Sequence, residues 1–216
     1  DRILSRSKYM EQLQGFWLTQ CIANWTGLIT EMDKIEPPFY TDENWDGPDE
    51  RNIWGNFIST TDTVIEYYFV RIGETWAADD DTDIEYMYQH LLDVNNTSIL
   101  TPEQTRDGWL LHIYSNEDAP NNENFLWVSN ETAYYLMQDG LLPPSTSDPD
   151  NNSHYEMIDA QLTTEIFGLF APTRPDIALR MAHLPVRTTA KDNAEWVAEF
   201  YVVMFALASY VDSELN

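Results

Sequence analysis

Four aspartates at the start of a helix-like segment are the residues whose spacing most readily suggests chemistry. Asp79, Asp80 and Asp81 are consecutive, and Asp83 follows after Thr82. Adjacent carboxylates repel one another, and each loses solvation on burial, so this run needs a compensating interaction. Hard divalent cations provide one, because they bind carboxylate oxygens and offset the repulsion.

A purely structural explanation uses the same segment. Thr82 followed by Glu85 has the spacing of a capping box, and the preceding acids would face the positive end of the helix dipole. An EF-hand is excluded, because counting from Asp79 puts Ile84 at the glycine position and His90 at the final glutamate position. From the residues alone, helix capping and metal binding therefore explain the aspartates equally well.

The elements around the aspartates are predicted to be helices. Thr101 as N-cap, Pro102 at the first helical position and Gln104 form a capping box, which predicts a helix start there. Residues 63–70 are the one strand-like run, and a buried helix turn explains them equally well. Helical spacing in the aspartate segment gives one apolar face, formed by Ile84, Met87, Tyr88, Leu91 and Leu92. Further helices are predicted over residues 9–29, 124–138, 157–170, 175–183 and 190–210, with loops over 33–58 and 141–153.

These elements predict an all-α fold over residues 1–216, a single domain of helices packed at varied angles with long loops. Apolar residues make up 43% of the chain and include eight tryptophans, which is enough to build one core. The lone Cys21 excludes an internal disulfide and a thiolate metal cage.

Charge and missing motifs exclude several functional classes. The 37 acidic against 11 basic residues give a formal charge of −26, which repels phosphate backbones, so we expect no nucleic-acid partner. No apolar run approaches the roughly 18 residues of a membrane span, so we expect no membrane partner. Phosphate-loop, dinucleotide, serine-nucleophile and zinc-helix motifs are absent. The acidic surface suits a salt-rich solvent, and we expect a soluble protein, extracytoplasmic rather than cytoplasmic.

A second motif lies near the N-terminus, in the stretch GFWLTQCIANWTGLITE, residues 15–31. Together with the aspartate run it resembles the ADP-ribosylglycohydrolase family (DraG-like, crystallin-J1-related hydrolases). The family's first helix typically reads G-x-L-x-G-x-x-x-G-D-x-x-G-x-x-x-E, and a T/S-D-D-T segment follows later. Gly15, Gly27 and Glu31 match in register, and DDDT at 79–82 lies over the second segment. Residues 158–209 also look like the family's central helices, so the resemblance covers nearly the whole chain.

The resemblance implies an orthogonal helical bundle that hydrolyses the glycosidic bond between ADP-ribose and a side chain or small group. It implies two Mg²⁺ (or Mn²⁺) ions, which lower the pKa of a bound water, so that no serine or cysteine nucleophile is needed. In this resemblance Asp79 takes the place of a threonine or serine ligand. The implied site residues are Asp79, Asp80 and Asp81 as metal ligands, Glu31 and Asp80 as catalytic groups, and Asn24, Asp159 and Gln161 as substrate contacts.

The chain also departs from the family's pattern. Thr19 and Ala23 stand where the family usually has glycine, and Asn24 where it has aspartate. The family's second metal motif, a D-T-D-type segment, has no counterpart here. We therefore expect a second chain or a further C-terminal segment to complete the metal site. Without that addition, we expect this chain to bind one ion instead of two. Two alternatives stay open: a glycoside hydrolase acting on a saccharide or nucleoside, and a module that binds metal or ADP-ribose without turnover.

Overall fold

The structure, a computed structural model, describes residues 4–28, 79–119, 122, 124 and 126–209. This described part is helical and contains no strand, which confirms the predicted all-α class. The predicted loop 33–58 and the strand-like run 63–70 lie outside the described residues. The helices are α1 (Arg6–Leu28), α2 (Asp80–Val94), α3 (Pro102–His112), α4 (Val128–Gln138), α5 (Asp159–Thr163), α6 (Ile166–Phe170), α7 (Pro175–Thr189) and α8 (Asn193–Ala208), with a 3-10 turn at Ser145–Ser147.

The chain divides into two compact units. The larger comprises Asp1–Gln12 and Asp80–Asn216, and therefore contains α2 to α8. The smaller comprises Leu13–Asp79, of which the structure describes the later part of α1 and Asp79 itself. The single domain over residues 1–216 stays a prediction. No helix in the described ranges combines the length and the apolar character that a bilayer crossing needs.

The start of α3 is built as its sequence predicts. Thr101 Oγ1 accepts a hydrogen bond from the Gln104 backbone N–H at 3.2 Å. The Gln104 side chain in turn accepts one from the Thr101 N–H at 2.9 Å. Pro102 occupies the first turn, where its missing N–H has no backbone partner to lose. The capping box is thus confirmed.

The apolar face of α2 is also confirmed, whereas the capping box proposed for its start is wrong. Ile84, Met87, Tyr88 and Leu91 are buried. The helix begins at Asp80, so Thr82 lies inside it and is not its N-cap. Glu85, the other half of that capping box, is fully buried and bonded to a distant backbone group.

The predicted helix over 157–170 is two short helices, α5 and α6. The Thr164 hydroxyl donates to the Ala160 carbonyl at 2.6 Å, a local bond that competes with regular helix geometry. The N–H of Ile166 donates to the Glu85 carboxylate at 3.2 Å. Because that N–H serves a partner from another helix, the backbone breaks at residues 164–165.

Helix α7 is longer than predicted, because Pro185 lies inside it and does not end it. Proline removes one backbone hydrogen bond from a helix interior. Its neighbours Leu184 and Val186 are both buried, and the helix continues to Thr189. Burial on both sides of the proline therefore outweighs the lost bond.

Small residues let α8 approach the helix beside it closely. Ala198, Val202 and Ala206 repeat every four residues and are fully buried. A Cβ at Gly168 of α6 would lie 2.7 Å from the Cβ of Phe205, nearer than two carbon atoms can pack. The crossing of α6 and α8 therefore depends on glycine at this position.

Candidate functional site

The first motif and the aspartate run meet in the smaller unit. The Asn24 side-chain amide donates to Asp79 Oδ2 at 2.5 Å, across 55 residues of sequence. Asn24 lies in the last turns of α1, and Asp79 is the residue immediately before α2. Both side chains are half-buried. The two segments that carry the sequence resemblance are therefore in contact at this point.

The next two aspartates belong to the first turn of α2, in the larger unit. Asp80 and Asp81 are half-buried, and Asp83 is exposed. Their position places negative charge at the positive end of the helix dipole, where it is stabilised. Each of the three makes polar or electrostatic interactions within the protein. The acids at the start of α2 are thus stabilised by interactions within the protein, and they also remain accessible to solvent.

Glu85 anchors this helix from the inside. Its side chain has no exposed surface, and its Oε1 accepts a hydrogen bond from the N–H of Ile166, 81 residues away. That N–H opens the short helix α6, so a carboxylate of α2 serves as its capping group. Sequence reasoning missed this role, although Glu85 stands between Ile84 and Tyr88 on the apolar face.

Tyr88 fixes the next turn of α2 in the core. It is fully buried, and it accepts a hydrogen bond from the Trp109 indole N–H of α3 at 3.1 Å. Its ring also packs against Phe167 at a centroid distance of 5.5 Å. Burial raises the pKa of Tyr88 to about 12, so its hydroxyl stays neutral at ordinary pH. The helix that carries Asp80 and Asp81 is therefore held firmly.

Asp159, a predicted substrate contact, lies in a separate buried cluster. Its carboxylate accepts a hydrogen bond from the N–H of Asn130 at 3.1 Å, in the first turn of α4. The N-cap residue of that helix, Trp127, makes no side-chain capping bond. Asp159 thus caps α4 from 29 residues away. Burial raises the pKa of Asp159, opposed by the Asn130 N–H, the Ser129 hydroxyl and the charge of His154.

Two further polar atoms in this cluster are buried. Within the described residues, Asn130 Oδ1 has no hydrogen-bond partner, whereas the Ser129 hydroxyl lies near the Asp159 carboxylate and lowers its pKa. Buried polar atoms are normally paired with protein or water. A water molecule or a ligand hydroxyl is therefore the group that would satisfy Asn130 Oδ1.

Gln161, the other predicted substrate contact, is half-buried in α5. It follows Asp159 by two positions, which places the two side chains about 200° apart around a helix. The geometry of α5 therefore does not bring them together on one face. Their roles as substrate contacts stay predictions, and Glu31 lies outside the described residues.

The donor chemistry of Asp79, Asp80 and Asp81 fits Mg²⁺ or Mn²⁺, because carboxylate oxygens are the ligands that these ions prefer. In the ranges that the structure describes, no three acid, histidine or cysteine side chains converge as a metal cage. The described carboxylates are thus chemically suitable ligands for the ion. They are too few to form a complete coordination shell.

Comparison with known proteins adds no relative. No protein-family model matches the chain, and no curated protein or solved structure matches it either.

Proposed function

We propose that this chain is a metal-dependent hydrolase of the ADP-ribosylglycohydrolase type, which cleaves the glycosidic bond of ADP-ribosylated proteins or small molecules. The contact between Asn24 and Asp79 is the observation that carries the proposal. It joins the helix of the first motif to the aspartate run, the two segments on which the resemblance depends.

Asp79, Asp80 and Asp81 are the proposed ligands of Mg²⁺ or Mn²⁺. When bound, such an ion would polarise ribose hydroxyls and make a water more acidic. Asn24 positions Asp79, because its side-chain amide donates one hydrogen bond to Oδ2 and holds that oxygen in place. The buried anchors Glu85 and Tyr88 hold α2, and with it Asp80, in a fixed position.

Glu31 and Asp80 are the proposed catalytic groups, and Asn24, Asp159 and Gln161 are the proposed substrate contacts. The carbonyl oxygen of Asn24 can accept a hydrogen bond from a ribose hydroxyl while its amide nitrogen contacts Asp79. The unpaired side-chain oxygen of Asn130 lends support to the Asp159 cluster as a binding position. A second chain or a further segment is proposed to supply the remaining metal ligands.

The proposal is tested by release of ADP-ribose. Purified protein is incubated with ADP-ribosyl-arginine and ADP-ribosyl-serine, with and without Mg²⁺, and free ADP-ribose is quantified. We expect Mg²⁺-dependent release that falls at least about 100-fold in Asp80→Asn, the scale of several kcal/mol that a metal contributes. Asp83→Asn is the matched control, because it removes the same charge from the same helical turn and should keep its activity.

Other outcomes have a defined meaning. Release that is independent of Mg²⁺, or equal in Asp80→Asn and the wild type, contradicts the proposed role of the aspartates. ADP-ribose binding without release by the wild type contradicts hydrolysis and supports the binding-module alternative.

A further inference from the structure

Helices α2 and α3 pack closely at a glycine. A Cβ at Gly108 would lie 2.7 Å from Leu91 Cδ2, so the Leu91 side chain of α2 packs directly onto the α3 backbone at this glycine. One residue further along α3, Trp109 donates to the Tyr88 hydroxyl of α2 in the buried core. The two contacts hold the two helices rigidly at this crossing.

Two histidines meet on the solvent side of the same crossing. His90 precedes Leu91 in α2, and His112 follows Gly108 by one helical turn in α3. Both side chains are exposed. Their ring centroids are 5.1 Å apart, and the ring planes are nearly perpendicular at 88°. The packing of Leu91 on Gly108 therefore places two imidazoles side by side at the surface.

The spacing of the rings suits a shared metal ion. A metal bound at about 2.1 Å from an imidazole nitrogen lies roughly 3.2 Å from the ring centroid. Two such rings at a tetrahedral angle then have centroids about 5.2 Å apart. The observed centroid distance of 5.1 Å is close to this value, so rotation of the two rings about their side-chain torsions is the adjustment needed to aim one nitrogen of each at a shared ion.

We propose that His90 and His112 form a two-histidine site for a divalent transition metal of the Zn²⁺ and Ni²⁺ class, with water completing the coordination shell. Imidazole nitrogen prefers these ions to Mg²⁺, so the site is chemically distinct from the oxygen donors at Asp79–Asp81. The formal charge of −26 raises the local concentration of cations and favours binding at an exposed pair. The inference does not depend on hydrolase activity.

The site is tested by calorimetric titration of Ni²⁺ into the full chain in excess Mg²⁺, which occupies carboxylates. The wild type is compared with His90→Ala, His112→Ala and the control His183→Ala, an exposed histidine on α7. We expect one ion per chain, with affinity at least about tenfold weaker in each of the first two variants, because a two-point attachment is reduced to one. His183→Ala should bind as the wild type does.

The thermal midpoint of unfolding, measured with and without Ni²⁺, is the second measurement, and it does not depend on the variants being folded. Ni²⁺ should raise the thermal midpoint of the wild type, since it binds the folded arrangement of two helices. Loss of affinity in neither histidine variant, or in only one, would show edge-to-face ring packing without a shared ion and would overturn the proposal. Unchanged binding together with no thermal shift would do the same.

Discussion

Carboxylates occur in two contrasting settings in the larger unit. At the start of α2, Asp80, Asp81 and Asp83 follow closely in sequence and are half-buried or exposed. Asp159 is a single, nearly buried carboxylate that caps the backbone of α4. The α2 cluster concentrates negative charge where ions and solvent reach it. Asp159 instead accepts a hydrogen bond from a backbone N–H in the first turn of α4. The difference between them lies in the partners of each carboxylate and not in its residue type.

Glu85 shows that both settings exist within one helix. It lies one turn after Asp81, yet it is fully buried and accepts from the N–H of Ile166. Its function resembles that of Asp159, because each carboxylate serves the first turn of a helix distant in sequence. Substitutions at the two buried acids and at the α2 cluster should therefore affect different properties, stability in the former and ion binding in the latter.

The largest stability loss is expected for Glu85→Ala. The change leaves the buried N–H of Ile166 without its acceptor and creates a cavity in the core. We expect the free energy of unfolding to fall by about 3 kcal/mol, as measured by urea denaturation. Glu85→Gln keeps the shape and an acceptor oxygen, so it should lose much less. Equal losses in both variants would show that the hydrogen bond to Ile166 is not the cause.

A smaller loss is expected for Asp159→Ala. It leaves the Asn130 N–H unpaired at the start of α4, which should cost about 2 kcal/mol. Asp159→Asn is the matched variant, because its amide oxygen accepts the same hydrogen bond without a buried charge. We expect it to unfold within about 0.5 kcal/mol of the wild type at neutral pH. A loss in Asp159→Asn as large as in Asp159→Ala would assign the stabilisation to the charge.

The contribution of Asp159 to the free energy of unfolding should depend modestly on pH and should fall as the pH rises. Burial raises the pKa of Asp159 above its ordinary value of 3.8, so the folded protein holds this proton more tightly than the unfolded chain does. Its contribution to the free energy of unfolding should therefore fall as the pH rises from 3.8 to the raised value, and stay constant above it. The unfolding free energy of the wild type minus that of Asp159→Asn, measured across this pH range, isolates the effect of Asp159 titration. A wild-type value minus Asp159→Asn value that increases with pH would contradict the assignment.

Local features of the fold were predictable from the sequence, because their causes lie within a few residues. The capping box of Thr101 and Gln104 uses groups three positions apart. The apolar face of α2 follows from helical spacing alone. Each is confirmed as predicted.

Features that depend on distant partners were not predictable. The break before α6 is linked to a hydrogen bond from Ile166 to Glu85, and the continuation of α7 through Pro185 depends on burial of its neighbours. Likewise, the contact of Asn24 with Asp79 was not predicted, since no local rule brings residues 24 and 79 together. The partner of Asp159 across 29 residues carried no signal in the sequence.

The most direct test of the central claim is calorimetric titration of Mn²⁺ into the wild type, Asp80→Asn and Asp83→Asn. Both variants lose one negative charge from the first turn of α2, so the general attraction of cations changes equally in both. If Asp80 is a metal ligand, its replacement by a neutral amide should weaken Mn²⁺ binding at least about tenfold, while Asp83→Asn binds as the wild type does. Equal affinities in all three proteins, or equal losses in the two variants, would contradict a metal site at these aspartates.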